Sequence, residues 1–194
     1  MNSGAGSGRW GRKAVRIALG TAGGALLFLG AVGGFDTLVE STNSLEFCIS
    51  CHDMRRNYEE YRKTVHYSNR SGVRAVCSDC HVPKRSWLAE MQRKLAAAHD
   101  VWGEIVGAID TPQKYDAERL AMARREWARM KESDSIGCRN CHSFDSMSFD
   151  QQDRSARSKH SRAAMAESGK TCIDCHKGIA HDLPKVPDAE TKED

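Results

Sequence analysis

CISCHDM at Cys48–Met54 contains the pentapeptide whose recurrence decides how this chain folds. Cys-x-x-Cys-His returns as CSDCH at Cys77–His81, CRNCH at Cys138–His142 and CIDCH at Cys172–His176. Two thiols and an adjoining imidazole at this spacing are the attachment signature of c-type heme. The thiols add across the two vinyl groups along one porphyrin edge, and the histidine that follows is placed to ligate the iron. A lone Cys-x-x-Cys would equally suit a redox dithiol or half a zinc site. Neither needs a histidine after the second cysteine in all four copies. The cysteines are Cys48, Cys51, Cys77, Cys80, Cys138, Cys141, Cys172 and Cys175, and all lie in these motifs. None is left for a disulfide or a nucleophile, and four covalently bound c-type hemes are expected.

Composition points the same way. Residues 36–194 contain only 23 Leu, Ile, Val and Phe in 159 positions. A chain this poor in apolar side chains ordinarily stays disordered. Four porphyrins would supply the missing core, as structural metals do for small domains. Without heme, no compact state is expected. The formal net charge of +3 misleads if read globally. Arg9, Arg12, Lys13 and Arg16 stand in residues 1–35 with no acid beside them, leaving 25 basic residues against 26 acidic ones. Heme propionates would make the remainder more negative. The chain therefore carries no basic nucleic-acid footprint, and nucleic acid is not an expected partner.

Ile17 to Phe35 runs without a charge. As a helix it would span about 28 Å, close to the thickness of a bilayer's hydrocarbon core. A cleaved signal peptide is the competing reading. The run is longer than a usual signal core, and GAVGGF is a weak cleavage site, which favours an uncleaved anchor. The basic residues before it place the amino end in the cytoplasm and everything after Phe35 outside, in the periplasm of a Gram-negative cell. Gly20 with Gly24, and Gly30 with Gly34, have the spacing that lets membrane helices approach closely. Glycine is also simply common in such helices, so a homodimer through this face is one of two readings.

The outer part reads as a duplication. In each half an extra histidine, His66 or His160, and then a Ser-Gly pair, Ser71-Gly72 or Ser168-Gly169, precede the second motif. Each half is thus expected to be a two-heme module with its own non-motif histidine. Leu88, Met91, Leu95, His99, Trp102, Val106 and Ile109 recur at steps of three and four, one face of an amphipathic helix. Thr111-Pro112 offers a cap and first turn for a second helix running to about Lys131. Segment 150–167 also reads as helix, with Ala156, His160 and Ala163 on one side. No period-two run is convincing. The fold class is therefore mainly α, with few or no strands: one transmembrane helix and a small multiheme domain of two duplicated diheme modules. The expected order is a basic cytoplasmic end (1–16), an anchor (17–35), a first diheme module (36–85), a helical connector (86–137), a second diheme module (138–183) and a polar tail (184–194).

Ligands can be counted. Four of the eight histidines belong to the motifs, and His66, His99, His160 and His181 remain. The repeat positions of His66 and His160 mark them as axial ligands beside His81, His142 and His176. His181, in GIAH just past the last motif, is a third candidate. Filling both axial positions suits electron transfer and not substrate binding. The first motif differs, because Met54 follows His52 by two residues where the second half has Phe144. A thioether ligand would raise the potential of that heme. Spacing alone leaves His52 and Met54 both open, and Met54 could instead pack with Tyr58, Tyr61 and Val65.

CISCHDM, the segment HYSNRSGVRAVCSDCHVPK (His66–Lys84) and the ending CIDCHKGIAH (Cys172–His181), together with the basic end and single apolar helix, resemble the NapC/NirT family of membrane-anchored tetraheme cytochromes. The resemblance covers nearly the whole chain, without the extra heme domain of the TorC-like branch. It implies several roles. Met54 would ligate heme 1, as in the NrfH type. A quinol site would lie beside heme 1, near the membrane surface, with a lysine and an acidic residue from the following helix. The matching residues are Lys94 and Asp100, with Arg93 the rival for the basic role. His99, next to Asp100, could instead approach heme 1. The implied partners are ubiquinol or menaquinol and a periplasmic reductase. A wire protein with no quinol site is the alternative. A terminal reductase is disfavoured, since enough histidines exist to cap every iron.

Overall fold

The computed structural model describes residues 7–186. The expected polar tail therefore falls largely outside the described residues, as do residues 1–6. Two units are resolved, residues 1–42 and residues 43–194.

The first unit is one helix, α1 (Ser7–Ser41). It is longer than the expected anchor at both ends, and its 35 residues would reach about 52 Å. Leu26, Leu27, Phe28 and Leu29 stand exposed on it, as suits a helix whose solvent is lipid. Its threonine hydroxyls are satisfied internally. Thr21 Oγ1 donates to the Ile17 and Ala18 carbonyls at 3.1 and 3.0 Å, and Thr37 Oγ1 to Gly33 O at 2.8 Å. That removes the cost of carrying threonine into hydrocarbon.

The second unit is all helix and turn among the described residues, in accord with the expected class. The four motifs sit on or beside very short helices, α2 (Leu45–Cys48), α4 (Cys77–His81), α7 (Ile136–Arg139) and α10 (Cys172–Cys175). Three longer helices carry them: α3 (His52–Tyr61), α5 (Trp87–Ile105) and α6 (Pro112–Glu132). Among the described residues the buried apolar side chains are only Tyr61, Tyr115 and Ile173. Polar clasps hold the frame instead. Tyr115 OH donates to Asn57 Oδ1 at 2.6 Å, joining α6 to α3. Tyr61 OH donates to the Ala75 carbonyl and, at 3.2 Å, to the His66 carbonyl, closing the loop between the first two motifs.

Two details depart from the periodicity. The face of α5 does not reach Ile109, because Gly107, at φ +75, ends the helix. Gly107 N–H donates to Glu104 O at 3.0 Å and Ala108 N–H to Gly103 O at 2.8 Å, the paired bonds of a Schellman cap. Segment 150–167 is not one helix. A 3₁₀ turn (Phe149–Gln151) is followed by α8 (Arg154–Lys159) and α9 (Arg162–Ser168). Asp153 and Ser161 each cap a new start, accepting from Ala156 N at 2.8 Å and Ala164 N at 3.2 Å. The break falls at His160, so Ala156, His160 and Ala163 do not share a helix face. Thr111 caps α6 as expected, accepting from Lys114 N at 3.3 Å.

Candidate functional site

The second motif of each half is built alike. The aspartate inside CSDCH and CIDCH turns back on its helix start: Asp79 accepts from Val76 N at 2.7 Å and Asp174 from Thr171 N at 2.8 Å. A lysine braces each, Lys84 on Asp79 at 2.6 Å and Lys131 on Asp174 at 2.9 Å. Both carboxyls lie below their ordinary value. At Asp174 the Thr171 N–H and Lys131 lower it. At Asp79 burial acts the other way, but Lys84 and the Val76 N–H outweigh it. These contacts fix the turn that presents the two thiols.

The motifs adjoin in chain order. The Cys48 and Cys77 thiols lie within hydrogen-bonding reach, which lowers Cys48 to about 7 and raises Cys77. Cys138, raised chiefly by burial, meets Cys172 in the same way. Motifs two and three meet through backbone. A Cβ on Gly137 would lie 2.6 Å from the Cys80 carbonyl oxygen, so only glycine allows α7 to pack on α4 this closely.

Six histidine rings form three facing pairs. His66 and His142 stand 6.2 Å apart between ring centres, His81 and His181 6.2 Å, and His160 and His176 5.8 Å. Imidazoles on opposite sides of one iron, with metal–nitrogen bonds of roughly 2 Å, stand about 6 Å apart. The pairs therefore fit an axially held heme iron. His66 Nδ1 and His181 Nδ1 are buried without a hydrogen-bond partner, a costly state unless something else is bound nearby. Burial lowers the pKa of both, with His142 and His81 adding to it, which favours the neutral ring, the form that ligates. Two further pair members are held from behind: His81 Nδ1 bonds Glu126 Oε1 at 2.8 Å and His160 Nδ1 bonds Gln152 Oε1 at 2.8 Å, which leaves the Nε2 of each free of those contacts. Two of these pairs cross the halves: His66 and His81 of the first half face His142 and His181 of the second. Only His160 and His176 pair within one half.

The first motif is different. His52 Nδ1 lies 2.8 Å from Asp53 Oδ1 and its Nε2 2.7 Å from Glu104 Oε1, so both ring nitrogens are engaged. Glu104 is raised by the neighbouring Asp53 carboxyl. Met54 Sδ accepts from Asn57 Nδ2 at 3.9 Å. His99 is 87% exposed, with Nδ1 3.9 Å from Asp100 Oδ1. Among the described residues neither His52 nor His99 forms a fourth ring pair.

Arg93, Lys94 and Asp100 all lie on α5 but do not converge. Lys94 Nζ donates to Asn43 Oδ1 at 2.8 Å and lies 3.5 Å from Glu90. Asp100, six residues on, is turned about 120° around the axis and roughly 9 Å along it, and its Oδ1 lies 4.0 Å from Arg125. Arg93 points to the second motif, with Nε donating to His81 O at 3.2 Å and a nitrogen 3.8 Å from Glu126.

Reasoning from sequence missed Glu126, Gln152 and the pair Glu60–Arg119. Arg119 reaches Glu60 through two nitrogens at 2.7 and 2.6 Å and donates to Asp182 O at 2.6 Å, while Asp182 N–H donates to Glu60 at 3.0 Å. This clasp fixes the residue next to His181. Burial would raise Glu60, but Arg119 and the Asp182 N–H hold it below its ordinary value. No local pattern marks these residues, because their partners are remote in sequence.

A family model described as "NapC/NirT cytochrome c family, N-terminal region" matches residues 11–186. The chain is 56% identical over 169 residues to "Denitrification system component NirT" of Stutzerimonas stutzeri, covering 84% of this chain and 83% of that protein. It is 51% identical over 189 residues to "Cytochrome c-type protein NapC" of Escherichia coli K12, covering 94% and 91%. It is 48% identical over 165 residues to "Putative tetraheme cytochrome-c type" of Allochromatium vinosum, covering 85% and 86%. No solved structure matches.

Proposed function

The chain belongs to the NapC/NirT cytochrome c family, and on that premise we propose that it is a membrane-anchored tetraheme cytochrome. In this reading it oxidises membrane quinol, ubiquinol or menaquinol, and passes the electrons to a periplasmic reductase. Four hemes, when bound, supply one-electron carriers. The eight motif cysteines would attach them. His81 with His181, His142 with His66, and His176 with His160 would hold three of the irons. Met54 would hold the remaining one, as the resemblance of CISCHDM to the family implies, with His52 turned to Asp53 and Glu104 instead. The observation that carries this reading is the set of three histidine ring pairs at iron-spanning separation, with the first motif standing apart.

Quinol oxidation releases two protons, and single-electron carriers do not take them. A carboxylate or imidazole within hydrogen-bond reach suits that task, and Asp100 or His99 supplies it on the exposed side of α5. Lys94, or Arg93, would stabilise a developing quinolate oxygen. The helix α1 anchors the chain with its basic end in the cytoplasm, and its paired glycines allow a second copy to approach.

One observation favours the alternative of a wire protein with no quinol site: Lys94 and Asp100 face different directions, each beside its own partners. The deciding experiment uses the purified full-length protein in detergent. Heme analysis should give four per chain, and a quinol analogue should reduce the hemes without another protein. Four hemes that quinol leaves oxidised would select the wire, and fewer than four would refute the ligand set.

A further inference from the structure

We propose that His52, Asp53 and Glu104 form a binding site for one divalent cation of the zinc type, distinct from the heme irons. The inference rests on the reading that Met54, not His52, holds the first iron. His52 and Asp53 open α3, and Glu104 stands in the last turn of α5. One donor atom from each lies within 4.8 Å of the other two. His52 Nε2 approaches Glu104 Oε1 at 2.7 Å and its Nδ1 approaches Asp53 Oδ1 at 2.8 Å.

The second observation is what these contacts leave over. The Asp53 side chain is only 8% exposed. Its Oδ2 and the Oε2 of Glu104 are both buried without a hydrogen-bond partner. The oxygens left without a donor belong to two carboxyls that lie against one another beside a single imidazole. An uncompensated buried charge is costly, and a divalent ion removes that cost directly. The donor set also selects the ion. Calcium and magnesium favour oxygen-only shells, often completed by water. One imidazole nitrogen with two carboxylate oxygens suits zinc or a neighbouring first-row ion, with a fourth position left for solvent. His52 is 61% exposed, which gives the ion a way in. Once seated, it would bind the start of α3 to the end of α5, two residues before Met54.

The test uses the full-length, heme-loaded protein in detergent, stripped with a chelator and dialysed against zinc alone. Elemental analysis should find one zinc per four irons. Glu104→Gln and Asp53→Asn should each bind zinc at least tenfold more weakly, with heme spectra unchanged. The near-infrared charge-transfer band of a thioether-ligated ferric heme, lost in Met54→Leu, tests the premise separately. If wild type binds no zinc, or both variants bind it equally, the cation site is refuted while that band leaves the ligand reading intact. If the band is missing from wild type and His52→Ala converts a low-spin heme to high-spin, His52 is an iron ligand and the cation site falls with the premise.

Discussion

Arg119→Ala should detach His181 from the iron that it is proposed to share with His81. Arg119 and Glu60 form a two-pronged pair whose side chains are 13% and 8% exposed. The same guanidinium holds the carbonyl of Asp182, and the Asp182 N–H returns a bond to Glu60. Removing one partner of a buried pair costs about 3–5 kcal/mol, largely because the other charge is left uncompensated. About 3 kcal/mol is roughly a hundredfold change in an equilibrium, enough to open the segment around His181. Electron paramagnetic resonance of the oxidised protein should show one heme turned from low-spin to high-spin, and the reduced protein should bind carbon monoxide at one site. Glu60→Gln on the Arg119→Ala background should recover part of the loss, because it neutralises the stranded carboxylate. An Arg119→Ala protein that is folded, fully heme-loaded and spectroscopically unchanged would refute the idea that this clasp positions His181.

The Glu60 carboxyl lies below its ordinary value when folded. Its stabilisation is therefore fully present above the unfolded carboxyl value and is lost as pH falls through the lower folded one. Acidification from about pH 5 to about pH 3 should produce the same single high-spin signal reversibly, and Glu60→Gln should lack this acid step. Gly137→Ala places a Cβ 2.6 Å from Cys80 O. It should cost about 1–3 kcal/mol and lower the melting temperature or the yield of heme-loaded protein, whereas Gly72→Ala, open on all sides, should be read out as turn strain alone. His160→Ala should turn one heme high-spin, while Gln152→Ala should keep it low-spin and shift its midpoint potential in a spectroscopic titration, as loss of an outer hydrogen bond to a ligand predicts. Lys94→Ala and Asp100→Ala should slow quinol-dependent reduction with four hemes retained; reduction at the wild-type rate in both would remove them from the proposed pocket.

The helical class, the apolar anchor segment and the four attachment pentapeptides were legible because each is a local pattern: a charge-free run, a 3.6-residue period, a fixed cysteine spacing. The start of α6 was equally plain from Thr111-Pro112. The end of α5 was readable in principle from Gly107, but the apolar face running on to Ile109 obscured it. The break at His160 was masked by a continuous helical composition, and local caps at Asp153 and Ser161 decided it.

Sequence by itself determined which residues are available for the chemistry, because thiol spacing and histidine identity are covalent facts that no folding can change. Only the tertiary structure decided which histidine faces which. His66 pairs across to His142, His181 returns to His81, and Glu126, Gln152 and Arg119 orient them from positions far along the chain. Such pairings depend on long-range closure, in this chain set by a glycine-width contact between motifs two and three and by a buried ion pair. Neither leaves a trace in any short window of residues.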